Sequence, residues 1–192
     1  MSATIIGDKD MATFLISKKI NINHQNSKNL TALHLACINN VLPIVRVLIL
    51  YGGLITIKDD LNFLPIHYAI KNDNLDILNL FESLSEFTFF NHKFFLSDIT
   101  NFDLAITNES WKIIKNYIGK EMVLKTFNQK GNLPLHTAAI HGSLNMFLLL
   151  ISKGADIEAL NKEGKTALSL AKQNGHKHIL EYLKTNFNES NL

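Results

Sequence analysis

The sequence predicts an all-α solenoid of stacked helix-turn-helix units, and two observations lead to that fold class. Residues 131–163 contain one complete helix-loop-helix unit, and the next unit begins directly with Gly164. Aligning the segment LPLHTA, which ends at Ala138, with TALSLA, which ends at Ala171, gives a step of 33 residues. This period is typical of a solenoid of two-helix units with short hairpin loops.

The same spacing extends over the whole chain, with one insertion of three residues that stretches the step from Ala69 to Ala105 to 36 residues. A small residue of the first helix recurs at Ala3, Ala36, Ala69, Ala105, Ala138 and Ala171. We therefore expect six units that leave no room for a separate catalytic domain. The predicted single domain spans residues 1–187, with a polar tail at 188–192. The predicted units are 1–25, 26–58, 59–94, 95–127, 128–160 and 161–187.

Each predicted unit has recognisable turns and a second helix. Four residues after the small residue come positions suited to the left-handed backbone that closes a helix, and seven before it come tight-turn positions. The former are Gly7, Asn40, Asp73, Glu109, Gly142 and Gly175, and the latter Asn29, Asn62, Asp98, Gly131 and Gly164. Second helices show an apolar i, i+1, i+4 pattern, as at Ile44, Val45 and Leu48. Pro43 fits the first turn of such a helix, while Ser110 and Ser143 are predicted to cap theirs.

Composition narrows the function classes. The chain has 192 residues, 46% hydrophobic and 19% charged, so it can form an ordered core. Its net charge is +2 and Arg46 is its only arginine, which argues against nucleic-acid binding. A single cysteine, Cys37, excludes an intramolecular disulfide and fits a cytoplasmic protein. Apolar runs such as 146–151 are too short to insert into a membrane, and we expect no Sec-type signal.

Four segments carry a resemblance to a known family. TALHLA (31–36), LPIHYA (64–69), LPLHTA (133–138) and TALSLA (166–171) match the Thr-Pro-Leu-His-x-Ala motif of the ankyrin repeat. The resemblance covers essentially residues 1–187. It implies an ankyrin-repeat solenoid, in which the histidine of the motif hydrogen-bonds neighbouring backbone and the capping threonine.

The fourth unit departs from this pattern. Asp103 stands in the histidine position, Phe102 in the leucine position and Glu109 in the glycine position. Six phenylalanines crowd into the same part of the chain, at 87, 89, 90, 94, 95 and 102. They either repack a widened joint or project towards a partner, and we expect most to be buried with one or two at the surface.

No enzyme signature, cofactor site or metal site is predicted. The histidines at 34, 67 and 136 lie one unit apart, too far to share a metal ion, and the structural interpretation is favoured for them. Cys37 occupies a small-residue packing position, and Trp111 one where other units have leucine. A hidden site formed by Asp103, Glu109 and His92 is the enzymatic alternative, and ordinary solvation explains these residues more simply.

The resemblance implies that a partner protein binds the concave face formed by hairpin tips and first helices. That face has an apolar, aromatic centre flanked by lysines, which fits an acidic or amphipathic protein segment. The protein itself is expected to be a monomer. The residues carried over to the face are Lys28, Leu30, Asn39, Lys58, Leu61, Phe63, Lys71, Asn72, Phe94, Leu96, Ile99, Asn108, Lys130, Asn132, His141, Lys162 and Lys165.

The predicted function is a non-enzymatic protein-protein interaction module, acting as an adaptor or inhibitor. Richness in Asn, Ile, Lys and Phe is expected from an AT-rich genome, and free-standing ankyrin proteins of this kind resemble effectors of intracellular bacteria. Such an effector would act in the host cell cytosol after specialised secretion. The alternative is a targeting subunit that recruits a substrate to a separate catalytic partner.

Overall fold

The computed structural model of the chain describes residue 1 and residues 8–84 and 100–186. All regular secondary structure in those ranges is helical, which confirms the all-α prediction. Twelve helices occur there: α1 Lys9–Ser17, α2 Ala32–Ile38, α3 Leu42–Leu50, α4 Pro65–Lys71, α5 Leu75–Glu82, α6 Asn101–Thr107, α7 Trp111–Tyr117, α8 Glu121–Lys125, α9 Pro134–His141, α10 Leu144–Ser152, α11 Ala167–Gln173 and α12 Lys177–Asn186.

The chain divides into two compact parts, each larger than one predicted repeat, which we call the first and the second unit. The first comprises Met1–Ser97 with Ser110–Ile113, and the second comprises Asp98–Glu109 with Ile114–Leu192. Helix pairs α2/α3 and α4/α5 lie in the first unit, while α9/α10 and α11/α12 lie in the second. The single domain and the repeat bounds predicted from the sequence stay predictions.

Small residues lie where first helices stack on one another. In the first unit, α2 packs on α4 and both Ala36 and Ala69 are fully buried. In the second unit, α9 packs on α6 and α11, with Ala105, Ala138 and Ala171 fully buried. A larger side chain at these positions would hold the helix backbones apart, and this explains why alanine marks the period.

The predicted left-handed positions are confirmed wherever they fall in the described residues. Non-glycine examples at the ends of first helices are Asn40, Asp73 and Glu109, with φ of 58°, 52° and 53°. Asn29 and Asn62, with φ of 56° and 62°, form the tight turns before α2 and α4. Gly7 and Asp98 lie outside the described residues, as do Ala3 and the tail 188–192.

The predicted serine caps are wrong. Ser143 precedes α10 but its side chain makes no capping hydrogen bond. The hydroxyl of Ser110 instead donates to the Ile70 carbonyl at 2.6 Å. The start of α7 is capped by Asp73, whose carboxylate accepts from the backbone N–H groups of Lys112 and Ile113 at 2.9 and 3.0 Å. A carboxylate suits this place better because it also interacts favourably with the helix dipole.

The irregular part of the chain contains an element that the periodicity did not predict. The short helix α8 follows α7, in a stretch where no helix was expected. Phe102 is buried, in agreement with a packing role, and the other five phenylalanines of the cluster lie outside the described residues. Trp111 is half-buried rather than fully enclosed. No helix in the described ranges combines the length and apolar character needed to cross a membrane.

Candidate protein-interaction surface

The hairpins that precede α2, α4, α9 and α11 are each shaped by an asparagine or aspartate side chain. Asn26 Oδ1 accepts from the backbone N–H groups of Lys28 and Leu30 at 2.9 and 3.0 Å. Asp59 Oδ1 accepts in the same way from Leu61 and Phe63, both at 2.9 Å. These bonds close a tight turn that fixes the direction of the side chains within it. In the second unit, Asn161 forms both corresponding bonds, and Asn128 forms the one from the backbone N–H four residues on, that of Asn132.

Two motif histidines, His34 of α2 and His136 of α9, connect their helix to the hairpin that precedes the next first helix. His34 Nδ1 accepts from the Thr31 backbone N–H at 3.1 Å, so its Nε2 carries the hydrogen and donates to the Phe63 carbonyl at 3.1 Å. Burial lowers the pKa of His34, which keeps the ring neutral. His136 lies 3.1 Å from the Lys165 carbonyl through Nε2. The structural interpretation of these histidines is confirmed for His34 and His136.

In the first unit, hairpin and helix residues come together around a tyrosine. Lys28, Leu30, Asp59, Asp60, Leu61 and Tyr68 line a cavity of about 360 Å³. We call these six residues, together with Phe63 and Lys71, the Tyr68 surface. The ring of Phe63 lies 5.3 Å from that of Tyr68, and Lys71 Nζ lies 5.1 Å from the Phe63 ring centroid. Leu61 is 68% exposed, so the surface is open to a partner.

The two carboxylates of the Tyr68 surface are less available to a partner than its lysines, because they already accept hydrogen bonds. The Tyr68 hydroxyl donates to Asp59 Oδ2 at 2.5 Å, and Asn29 Nδ2 donates to Asp60 Oδ1 at 2.5 Å. Burial raises the pKa of Tyr68, and the hydrogen bond to Asp59 adds to that effect, so the hydroxyl stays protonated. Both carboxylates therefore already have hydrogen-bond donors within the protein.

Five of the residues predicted for the concave face meet on the Tyr68 surface: Lys28, Leu30, Leu61, Phe63 and Lys71. The asparagines predicted beside them serve the scaffold. Asn39 Nδ2 donates to the Leu35 carbonyl at 2.8 Å and Asn72 Nδ2 to the Ile38 carbonyl at 2.9 Å. Lys58 is exposed on the same hairpin.

Predicted face residues of the second unit are largely engaged within the protein. Asn132 is only 6% exposed, and its Oδ1 accepts from Asn161 Nδ2 at 2.7 Å. Lys162 Nζ donates to the Gln129 carbonyl at 3.1 Å, and Lys165 pairs with Glu163 at 2.8 Å. Asn108 caps α6 by donating to the Leu104 carbonyl.

Two further predicted residues of this unit, Lys130 and His141, are exposed. The pKa of His141 is lowered, mainly by burial of part of its ring, against the raising effect of Asp103. The predicted residues Phe94, Leu96 and Ile99 lie outside the described residues.

Sequence reasoning missed Tyr68 and Asp59. Tyr68 directly precedes the small residue Ala69, a position that varies between units while its neighbours repeat. The hairpin residue ten places before the small residue is Asn26, Asp59, Asn128 or Asn161, a recurrence visible in the sequence. Both signals were present in the spacing, but the side-chain partnership between them required the structure.

Asp103 was the centre of the hidden-site hypothesis. It is 1% exposed, and its Oδ2 accepts from the Thr100 backbone N–H, the Thr100 hydroxyl and Asn128 Nδ2 at 3.0, 2.9 and 3.3 Å. The Thr137 hydroxyl donates to Oδ1. Burial raises the pKa of Asp103, while these four hydrogen bonds act in the opposite direction. Glu109 is exposed and is not among its partners, and His92 lies outside the described residues.

Cys37 and possible metal ligands are the other residues that could carry chemistry. Cys37 is fully buried, and burial raises the pKa of its thiol, which keeps the sulfur protonated and inert. In the described part of the chain, no three or more His, Cys, Asp or Glu side chains are grouped so as to hold a metal ion.

Comparison with known proteins agrees with the geometry. The family model described as ankyrin repeats (3 copies) matches residues 1–88 and 102–191. The Notch-regulated ankyrin repeat-containing protein A of Danio rerio is 37% identical over 79 residues, covering 41% of this chain and 70% of that protein. The human palmitoyltransferase ZDHHC13 is 26% identical over 218 residues, covering 96% of this chain and 35% of that protein.

Solved structures show the same fold. The ankyrin repeat domain of Bcl-3 matches with a TM-score of 0.75 at 22% identity, covering 99% of this chain and 86% of that one. A chain from the complex of the Bdellovibrio bacteriovorus predatory endopeptidase Bd0816 with immunity protein Bd3460 matches with a TM-score of 0.69 at 24% identity, covering 96% of each. The sequence motifs, the stacked helix pairs and the family match together show that this chain belongs to the ankyrin repeat family.

Proposed function

We propose that this protein is a non-enzymatic adaptor or inhibitor that binds a partner protein through the Tyr68 surface. Ankyrin repeats are protein-protein interaction modules, and the proposal assigns the binding to one part of this chain. One observation carries the assignment: Lys28 and Lys71 flank an open cluster of Leu61, Phe63 and Tyr68.

The chemistry of the partner follows from which charges are free. Lys28, Lys58 and Lys71 are exposed and form no ion pair with any residue of 8–84 or 100–186. The carboxylates of Asp59 and Asp60, in contrast, already accept internal hydrogen bonds. An incoming segment therefore meets available positive charge around apolar and aromatic groups. This combination fits an acidic or amphipathic segment whose apolar side chains contact Leu61 and Phe63 and whose carboxylates pair with the lysines.

A targeting subunit is the second candidate function. The similarity to ZDHHC13 spans nearly all of this chain but about a third of that protein, which is named as a palmitoyltransferase. Repeats like these therefore occur as part of a protein named for a catalytic activity. By analogy, this chain would hold a substrate for a separate catalytic partner. A host-directed effector acting in the cytosol is a narrower form of the adaptor proposal, supported by composition.

The test is affinity capture from lysate, with bound proteins identified by mass spectrometry. The double variant Lys28→Glu, Lys71→Glu reverses the free charges of the Tyr68 surface, and Leu61→Ser separately removes its most exposed apolar group. The matched control Lys153→Glu, Lys184→Glu makes the same change of net charge directly after α10 and on α12. We expect the control to retain the partner and both surface variants to lose it.

Retention of the same partner by both surface variants would contradict the assignment to the Tyr68 surface. The two candidate functions are separated by the identity of the captured proteins. Co-purification of a catalytic partner and its substrate favours the targeting subunit, whereas capture of one non-catalytic protein favours the adaptor.

A further inference from the structure

An unusual helix forms part of the outer layer of the first unit. In α3, LPIVRVLIL, the residues Ile44, Val45 and Leu48 are buried and supply the inward stripe. The outward positions are also apolar, with Arg46 as the exception. In α5 the corresponding exposed positions are Asp76 and Asn79. An outer helix that is apolar on both faces is normally covered by other protein.

The outward side of α3 forms one wall of a groove, and α1 forms the other. The groove has a volume of about 460 Å³, and its apolar lining comes from Leu42, Pro43, Val47, Leu50 and Tyr51. Leu50 is 76% exposed and Tyr51 is 51% exposed, while Val47 is buried beneath them. A single exposed leucine is ordinary, but several apolar groups sharing one groove indicate an interaction site.

Two cations accompany this apolar lining, Lys9 from α1 and Arg46 from α3. Both are exposed, and neither forms an ion pair with another described residue. No carboxylate lines the groove. Asp76 lines the neighbouring cavity between α3 and α5 together with Arg46, but the two form no ion pair. Arg46 is also the only arginine of the chain, and its planar guanidinium suits bidentate binding of a carboxylate.

We infer that this groove binds an amphipathic helix of a partner protein, with its apolar side against Leu42, Leu50 and Tyr51 and acidic residues facing Lys9 and Arg46. The groove runs between α1 and α3, which have nine residues each, about 13 Å of helix length. That length matches two to three turns of a docked helix with anchors at i, i+3, i+4 and i+7. The groove is separate from the Tyr68 surface, so the inference goes beyond the function proposed above.

The test measures binding of a designed, fluorescein-labelled helical peptide of about 18 residues to the full chain by fluorescence anisotropy. The peptide carries leucines at the anchor spacing and glutamates on its other positions. A scrambled peptide of the same composition removes the apolar stripe, and a peptide with lysine in place of glutamate reverses the charge. We expect saturable binding of the acidic amphipathic peptide and at least tenfold weaker binding of the other two.

Variants then locate the site. Arg46→Glu and Leu50→Ser should each weaken binding of the acidic peptide about tenfold, whereas Arg46→Lys, which keeps the charge, should weaken it less. Lys153→Glu and Leu160→Ser, outside both the groove and the Tyr68 surface, are the matched controls and should leave it within about twofold. Lys71→Glu and Leu61→Ser show whether the peptide binds the Tyr68 surface instead. All six positions are exposed, and circular dichroism checks that each variant stays folded.

Three results would overturn the inference. They are absence of saturable binding by the wild type, equal binding of the scrambled peptide, and loss of binding in the Tyr68-surface variants in place of the groove variants. The last result would assign the peptide to the Tyr68 surface and leave the proposed function standing. Loss confined to the groove variants supports the groove whatever the lysate capture shows.

Discussion

Helices α2 and α6 begin with the same capping pattern. The side chain that contacts the following hairpin donates a hydrogen bond in α2 and accepts hydrogen bonds in α6. Thr31 caps α2 and Thr100 caps α6, and three residues later come His34 and Asp103. Each of these side chains accepts the backbone N–H of its threonine. Beyond that shared bond, His34 donates to the Phe63 carbonyl, whereas Asp103 accepts from Asn128 and Thr137.

The exchange of donors and acceptors also affects the hairpin that follows each helix. In the first unit the hairpin residue is Asp59, a carboxylate, and the helix residue that faces it is Tyr68. In the second unit the equivalent residues are Asn128 and Thr137, both neutral donors. We call the contact between a first helix, the next hairpin and the next first helix a joint. Each joint therefore contains one carboxylate, which is Asp59 of the hairpin in the first unit and Asp103 of the helix in the second. A joint requires matched donors and acceptors, and several residue sets satisfy it.

The largest effect is expected from removing the buried carboxylate. Asp103→Ala leaves four donors without their acceptor and should lower the free energy of unfolding by about 3 to 5 kcal/mol. Chemical denaturation followed by circular dichroism measures this. Asp103→Asn keeps one acceptor oxygen and should lose less. A loss below about 1 kcal/mol in the alanine variant would show that the donors find other partners.

Placing a second carboxylate in the same joint should be the next most harmful change. Asn128→Asp would bring two carboxylates to the distance now spanned by a 3.3 Å hydrogen bond, with an expected loss of about 2 to 3 kcal/mol near pH 7. Their repulsion raises a folded-state pKa, so stability is present below the unfolded pKa and is lost as pH rises through the folded one. The loss should therefore shrink on acidification towards about pH 4.

The control for that variant is Asn26→Asp, which makes the same change in a hairpin that has the same turn in the first unit. It should alter stability by less than about 1 kcal/mol. An equal loss in both variants, independent of pH, would mean that the turn itself and not charge repulsion determines the result.

Removing His34, the uncharged counterpart of Asp103, should have a smaller effect on stability. His34→Ala deletes hydrogen bonds between uncharged groups and leaves a small cavity, with an expected loss of about 1 to 3 kcal/mol by denaturant titration. The measured losses of His34→Ala and Asp103→Ala rank the two joints directly. A greater loss at His34 would reverse the comparison.

The joint at His34 should also weaken in acid. Because its folded pKa is lowered by burial, its stabilising contribution is full above the unfolded value of 6.5 and is lost as pH falls towards the folded value. Unfolding measured at about pH 7.5 and about pH 5.5 should show a smaller loss of stability in His34→Gln than in the wild type. Equal losses in the two proteins would assign the acid sensitivity to other groups.

The smallest effect concerns the residue that closes each helix. Glu109 ends α6 with φ of 53°, and Asn40 occupies the equivalent position after α2 with φ of 58°. Glutamate tolerates this conformation poorly, so Glu109→Gly should raise the free energy of unfolding by at most about 1 kcal/mol. Asn40→Gly, where asparagine already tolerates the conformation, should change it by a few tenths. Thermal unfolding measures both, and a destabilised Glu109→Gly would contradict the strain argument.

Most of the fold could be predicted from the periodicity of the sequence. Ala36, Ala69 and Ala138 predicted which helices stack, and Asn40, Asp73 and Glu109 predicted the left-handed positions, because backbone geometry constrains both. Caps were harder to predict. Asp73 reaches the start of α7 from the end of another helix, and sequence spacing contains no record of a contact across 39 and 40 residues.

The candidate surface was only partly predictable for the same reason. Its hairpin residues, such as Lys28 and Leu61, follow from their phase in the repeat. Tyr68 joins them through its hydrogen bond to Asp59, and Asn132 turns inward through its bond with Asn161. Both outcomes depend on which side chains come into contact in the folded chain. The repeat spacing of a single sequence does not predict those contacts.

The reversed polarity at Asp103 also limits how such a chain can change by duplication or exchange of its repeats. A copy of the α6 segment inserted before the hairpin of Asp59 and Phe63 would leave its carboxylate facing a carbonyl and a second carboxylate, which are both acceptors. A copy of the α2 segment inserted before Asn128 would lack the acceptor that Thr137 and Asn128 now use. Although α2 and α6 begin with the same backbone arrangement, their side chains restrict which hairpin can follow each of them along the gene.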